Sequence, residues 1–149
     1  MAESDIDKMT GIKTEIKIEI TDYYVMLNLH KALLEAKFHQ NPDNPEVAFS
    51  PIVADFCNEL VDNLAKADEE KDAKKAASWN NWRKLANQPY YRERALNHAL
   101  LNNRWSKMGD EEKRKMAINL LSPFQATEEE IECFIQEVNE KYFQQHSNS

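Results

Sequence analysis

The sequence predicts a mainly α-helical fold, a compact bundle of five to six helices with one short N-terminal β-strand. Three observations lead to this prediction. Apolar residues recur every three or four positions over most of the chain, the periodic segments start and stop at capping residues, proline or glycine, and one early segment alternates strictly. A chain of 149 residues is long enough for one domain with its own core. We expect residues 1–10 to be a flexible N-terminus, residues 11–144 a single helical domain and residues 145–149 a flexible tail.

The segment from Ile12 to Ile20 is the predicted strand. Isoleucine or threonine occupies every second position, with lysine or glutamate between them. A helix would instead stack Lys13 on Lys17, one turn apart, which is a repulsive pair. The chain offers only the short run 47–49 as a mate. We therefore weigh two hypotheses equally, an intramolecular two-stranded ribbon and a homodimer in which this strand pairs with that of a second copy.

Two helices are predicted in the first half of the chain. The first runs from Asp22 to about His39 and is apolar on nearly all sides, which is typical of a central helix. Residues 41–45 contain two prolines and form the connection. Ser50 is the cap and Pro51 the first residue of the second helix, in which apolar residues recur every four positions.

The middle of the chain predicts two further helices. A charged segment followed by an alanine-rich one indicates a third helix over about residues 69–87, ended by Pro89. A fourth helix is predicted from Tyr90 to about Met108, with Gly109 as its C-terminal stop.

Two capped segments complete the predicted bundle. Asp110 caps a short fifth helix through Leu121, and the acidic residues of its first turn suit the helix dipole. Thr127 and Glu130 form a capping box, which predicts the start of the last helix.

Residue counts and spacing exclude several classes of site. Gly11 and Gly109 are the only glycines, so the chain has no Gly-rich loop for phosphates or dinucleotides. The four histidines are not spaced as metal ligands, and no serine has the flanking glycines of a nucleophile elbow. We therefore expect no cofactor, no metal and no enzymatic activity. His98, between two leucines, is expected to be a hydrogen-bonded core residue.

The chain also lacks signals for export or membrane insertion. It has no basic start followed by an apolar stretch, and no apolar window long enough to span a membrane. We expect a cytoplasmic protein without membrane contact. Cys57 and Cys133 both fall in apolar helical patterns and are expected to be reduced core residues.

Charge is distributed unevenly along the chain. The net charge is -7, yet residues 71–117 hold twelve basic residues against five acidic ones, a balance of +7. Residues 1–70 have a balance of -9 and residues 118–149 one of -5. An acidic molecule with a basic middle is predicted to bind partners through electrostatic asymmetry.

The basic middle also contains the tryptophans, which predicts a binding surface. The candidate partner-binding residues are Trp79, Trp82, Arg83, Lys84, Arg92, Arg94, Arg104 and Lys107. Because tryptophan, tyrosine and arginine dominate protein interfaces, our first hypothesis is a non-enzymatic protein-binding adaptor, inhibitor or regulator.

Two alternatives use the same residues. A nucleic-acid-binding protein would neutralise phosphates with the cations of residues 71–117 and stack bases on the aromatic rings. In the second alternative, the tryptophans are core residues and the arginines pair with the acidic flanks of this molecule or of a second copy.

Two short segments resemble parts of known families. The nine residues from Trp105 to Lys113 resemble the stretch that joins the last two helices of HMG-box proteins, which bend DNA. That family's basic, proline-containing N-terminal strand has no counterpart in this chain. The segment from Phe56 to Asp62 resembles a helix of a bacterial anti-sigma regulator, a helical protein that binds sigma factors. Neither resemblance covers enough of the chain to assign a family.

Overall fold

The structure, a computed structural model, describes residues 17–147 of the chain. Over this range it has seven α-helices, so the mainly helical prediction is confirmed. The helices are α1 (Tyr23–Lys37), α2 (Glu46–Phe49), α3 (Pro51–Lys71), α4 (Ala73–Arg83), α5 (Pro89–Ala99), α6 (Asp110–Leu121) and α7 (Glu128–Ser147). Six of them correspond to the six predicted segments, and α2 is the additional one.

The predicted N-terminal strand is not confirmed. Its residues 12–16, like the expected flexible residues 1–10, lie outside the described residues, and residues 17–20 have irregular backbone. The proposed mate, residues 47–49, lies in helix α2. Within residues 17–147 the sole β-type pairing is an isolated bridge between Lys84 and Gln125. A homodimer through the strand from Ile12 to Ile20 therefore stays a prediction.

Local caps set three helix starts as the sequence predicts. The Asp22 carboxylate accepts hydrogen bonds from the first amides of α1, and Ser50 Oγ accepts from the Val53 amide at 3.2 Å. At α7 the capping box closes in both directions, with Thr127 N donating to Glu130 Oε1 at 2.8 Å and Glu130 N donating to Thr127 Oγ1 at 3.1 Å.

The predicted end of the third helix is wrong. Helix α4 stops at Arg83 rather than at residue 87, and residues Leu85–Asn87 form a short 3₁₀ turn. The cause is tertiary, because the Arg83 carbonyl accepts from Gln125 N at 2.7 Å and Leu85 N donates to the Gln125 carbonyl at 2.9 Å. These bonds replace the intrahelical ones that would have continued α4.

The fourth helix is also shorter than predicted. Helix α5 ends at Ala99, nine residues before Met108. Asn102 Oδ1 accepts from Arg104 N at 3.0 Å, a local turn that competes with the helix. Gly109 is consequently the N-cap of α6, not the stop of α5.

The core lies where α5, α6 and α7 meet the C-terminal end of α1. Its largest buried side chains include Phe38, Leu96, Trp105, Leu120, Phe124, Phe134 and Val138. Cys57 is buried, as predicted, whereas Cys133 is exposed on the solvent side of α7, so the prediction of a core thiol there is wrong. Helix α7 reaches Ser147, into the tail predicted to be flexible.

Lys37 joins α1 to the end of α6. This lysine is 1% exposed, and its Nζ donates to the carbonyls of Asn119 at 2.7 Å and Leu120 at 2.9 Å. These acceptors belong to the last turn of α6, where carbonyls lack intrahelical donors. The contact fixes the position of α1, which also contributes residues to the site described below. No helix among residues 17–147 combines the length and the apolar character needed to cross a lipid bilayer.

Candidate functional site

The eight predicted partner-binding residues lie in three different environments. Arg83 is buried, and Lys84, Arg104 and Lys107 are exposed. The remaining four, Trp79, Trp82, Arg92 and Arg94, are half-buried. The basic strip read from the sequence is therefore not one continuous surface.

The Arg83 side chain forms its hydrogen bonds within the protein. Its Nε donates to the Pro123 carbonyl at 3.0 Å, and its two terminal nitrogens donate to Asn58 Oδ1 at 3.0 Å and Asp62 Oδ1 at 2.5 Å. The guanidinium thus ties α4 to α3 and to the segment before α7. This matches the alternative in which an arginine of the basic middle pairs with the acidic flank of the same molecule.

Arg92 has a similar internal contact. It forms an ion pair with Glu137 of α7 at 3.1 Å and lies over the Phe134 ring, 5.6 Å from its centroid. Arg83 and Arg92 therefore hold helices together, and neither guanidinium is free of protein contacts.

Trp79 and Trp82 line a cleft between α1 and α4. The cleft has a volume of about 430 Å³. Helix α1 contributes Leu27, His30, Lys31 and Leu34, helix α4 contributes Lys75, Ser78, Trp79 and Trp82, and Asp68 and Tyr91 complete the lining. Each helix offers residues three, four and seven positions apart, which is one helical face. We call this space the Trp cleft.

The aromatic rings of the Trp cleft contact one another edge to face. The centroids of Trp79 and Trp82 are 5.6 Å apart with an interplanar angle of 85°. His30 lies against both, at 5.5 Å from Trp79 and 5.2 Å from Trp82. Trp82 also contacts Phe124 of the core at 4.9 Å. Edge-to-face contacts are preferred for aromatic pairs, and through Trp82 the walls of the cleft pack against the core.

Asp68 of α3 is a fixed carboxylate in the cleft. It is 5% exposed, and its Oδ2 accepts hydrogen bonds from Trp79 Nε1 at 2.6 Å and from the Tyr23 hydroxyl at 3.0 Å. Burial, together with this hydrogen bond, raises the pKa of the Tyr23 hydroxyl. The carboxylate orients the Trp79 ring.

His30 is a candidate site residue that the sequence did not single out. Its side chain is 5% exposed, and within the described chain no hydrogen bond reaches its imidazole. Among the described residues, every fully buried side-chain nitrogen or oxygen has a hydrogen-bond partner. Because the His30 nitrogens have none, neither is fully buried, and both are accessible from the cleft that His30 lines. Burial and, to a smaller extent, the neighbouring Lys31 lower the pKa of His30 to about 4, which keeps the ring neutral at pH 7. The spacing of His30 from Leu27 and Leu34 was the signal in the sequence that places it on this face.

A second cleft adjoins the first. It has a volume of about 540 Å³ and shares Lys31, Leu34 and Tyr91 with the Trp cleft. Its other lining residues are Glu35, Phe38, His39, Gln40, Asn41, Tyr90 and Arg94. Arg94 stacks 4.9 Å from the centroid of the Tyr90 ring and donates to its hydroxyl at 3.1 Å. The two clefts together are the α1–α4–α5 groove.

The other histidine of interest is structural. His98 is 2% exposed, and its Nε2 lies 2.6 Å from the His39 carbonyl oxygen, so the prediction of a hydrogen-bonded core histidine is confirmed. Within residues 17–147, no three His, Cys, Asp or Glu side chains converge as metal ligands would.

No known protein family, curated protein or solved structure shows significant similarity to this chain. Its function therefore has to be inferred from the residues of the α1–α4–α5 groove.

Proposed function

We propose that the chain is a non-enzymatic adaptor, inhibitor or regulator that binds another protein through the α1–α4–α5 groove. The observation that carries this proposal is that two adjoining clefts leave tryptophan, tyrosine and arginine side chains accessible at one place. Trp82 and Tyr91 are half-buried there, Tyr90 is 59% exposed, and Arg94 stacks on Tyr90. These residue types supply most of the binding energy at protein interfaces.

The groove refines the surface predicted from the sequence. Trp79, Trp82 and Arg94 belong to it, whereas Arg104 and Lys107 line neither cleft. Helix α1 contributes five of the 17 residues that line the two clefts, although the sequence placed the whole surface in residues 71–117.

The charges favour a protein over a nucleic acid as the partner. Binding to phosphates needs cations that are free to displace counterions. Arg83 and Arg92 of the predicted surface each have a carboxylate partner, and in the groove the cations Lys31, Lys75 and Arg94 are accompanied by the carboxylates of Glu35 and Asp68. The net charge of -7 also repels a polyanion at long range.

Affinity capture with a groove variant and a matched control tests the proposal. The groove variant replaces Tyr90 and Arg94 with alanine, and the control replaces Phe143, which is 72% exposed, and the exposed Arg104 with alanine. Each variant loses one exposed aromatic side chain and one arginine, so the two differ mainly in where the loss occurs. We expect wild type and the control to retain the same protein from native extract, and the groove variant to lose it.

Purified components make the result quantitative. Calorimetry with the captured protein should show at least a tenfold weaker affinity for the groove variant and an unchanged affinity for the control, because removing an interface anchor costs about 1–2 kcal/mol or more. Equal retention by all three proteins would overturn the proposal. Salt-sensitive binding of an oligonucleotide, lost in the groove variant, would replace it with the nucleic-acid alternative.

A further inference from the structure

The Trp cleft has a feature that a purely apolar pocket lacks. Most of its exposed lining is aromatic and aliphatic, yet His30 has no hydrogen-bond partner among residues 17–147 while both of its nitrogens remain accessible. A neutral imidazole carries one donor and one acceptor. A buried polar group of this kind stabilises a ligand that can satisfy it and disfavours one that cannot.

We propose that the Trp cleft binds a tyrosine side chain of the partner protein, within a segment that is acidic on either side of the tyrosine. The proposal rests on the proposed function and specifies the partner's chemistry. The cleft offers a phenol ring the aromatic surfaces of Trp79 and Trp82 and the aliphatic side chains of Leu27 and Leu34, and the phenol hydroxyl both donates and accepts, which matches His30.

The charges at the edge of the Trp cleft support the proposal that acidic residues flank the partner's tyrosine. Lys31 and Lys75 both line the Trp cleft, both are exposed, and neither forms an ion pair within residues 17–147. The carboxylate in the same cleft, Asp68, already accepts hydrogen bonds from Trp79 and Tyr23. Two exposed lysines beside an apolar cleft complement an anionic segment and disfavour a cationic one.

Short capped peptides test the proposal without knowledge of the partner. The probe is a five-residue peptide with tyrosine at its centre and glutamate at the other four positions, and the matched peptides replace the tyrosine with phenylalanine or leucine, or the glutamates with glutamine. Binding to the full-length protein is followed through the indole N–H signals of the three tryptophans by NMR. We expect the signals of Trp79 and Trp82 to shift, while that of Trp105, which is 1% exposed and bonded to Asn139, stays in place.

The peptide series and one protein variant form a double-mutant cycle. Loss of the phenol hydroxyl should weaken binding to wild type about fivefold, the effect of one hydrogen bond. In His30→Leu the tyrosine and phenylalanine peptides should bind equally. Glutamine flanks should weaken binding at low salt and remove its salt dependence. Because one arm changes only the peptide, the test does not depend on how His30→Leu folds.

Three results would overturn the inference: no preference for tyrosine over phenylalanine, a preference that survives His30→Leu, or peptide shifts confined to residues outside the Trp cleft. The same experiments distinguish a failure of this inference from a failure of the proposed function. If the tyrosine preference is absent while the Tyr90/Arg94 variant still loses its captured protein, only the inference about tyrosine is wrong. If the preference is present while capture is unchanged, only the proposed function of the whole groove is wrong.

Discussion

At the scale of single residues, burial decides which basic side chains are available to bind a partner. Arg83 and Lys37 are both buried and both donate to backbone carbonyls of other elements, and burial lowers the pKa of Lys37 to about 7. A buried charge is tolerated only when such partners replace water. Arg94 and Lys31, in contrast, face an open cleft. Sequence alone gives the same positive charge to all four, which is why Arg83 was predicted to bind a partner.

His30 predicts a pH dependence of stability. Burial lowers its pKa to about 4 in the folded protein, against about 6.5 in an unfolded chain. The unfolded state therefore binds the proton first as the pH falls, so stability is full above pH 6.5 and is lost towards pH 4. The loss amounts to about 3 kcal/mol at most, at about 1.4 kcal/mol for each pKa unit.

Comparison with His30→Gln isolates this contribution. Asp68, Lys31 and Lys75, the charged groups that share the cleft, are present in both proteins. Urea unfolding at pH 7 and pH 4.5 should show a smaller acid-induced loss of unfolding free energy for the variant. Parallel losses in the two proteins would show that His30 titrates alike in the folded and unfolded states.

At the scale of elements, local signals predict where helices begin better than where they end. Ser50, Asp22 and the Thr127–Glu130 box act through neighbouring amides, so the sequence suffices to locate them. The end of α4 depends on Gln125, which lies some forty residues further along the chain. No pattern within residues 69–87 contains that information.

The same limit applies to the candidate site. The spacing of Trp79 and Trp82 predicts a shared helical face, and their rings lie together in the structure. His30, Asp68 and Tyr91 come from three other helices, and only the packing of α1, α3 and α5 around α4 brings them to the same cleft. Sequence reasoning therefore found the wall contributed by α4 and missed the opposite one.

Arg83 predicts a stability effect at the junction of α3, α4 and the segment before α7. Arg83→Met keeps the length of the side chain but leaves the Pro123 carbonyl, Asn58 and Asp62 without their donor. We expect the unfolding free energy to fall by about 2–3 kcal/mol, because the buried Pro123 carbonyl and the half-buried Asn58 lose a charged donor, whereas the exposed Asp62 can return to water. Urea denaturation gives the value.

Arg104→Met is the matched control for that experiment. Arg104 is exposed, and its substitution should change the unfolding free energy by no more than about 0.5 kcal/mol. A loss for Arg83→Met that does not exceed the loss for Arg104→Met would mean that the buried guanidinium does not hold the junction together.

At the scale of the whole molecule, part of the basic middle forms ion pairs with the acidic flanks of the same chain. Arg83, Arg92 and Arg114 of the basic middle pair with Asp62, Glu137 and Glu128 of the acidic flanks. Two of these pairs join consecutive helices, α3 with α4 and α6 with α7, and the third joins α5 to α7. Lys31, Lys75 and Arg94, which form no ion pair within residues 17–147, meet at the α1–α4–α5 groove.

Site-specific photo-crosslinking in living cells tests the central claim most directly, that this groove contacts a protein. A photoreactive amino acid replaces Ser78, which is exposed and lines the Trp cleft, and in a second version it replaces Phe143, which lies outside the groove. Our account predicts a discrete adduct from position 78 that protease removes and nuclease leaves intact, with none from position 143. An adduct that nuclease removes, or equal adducts from both positions, would contradict it.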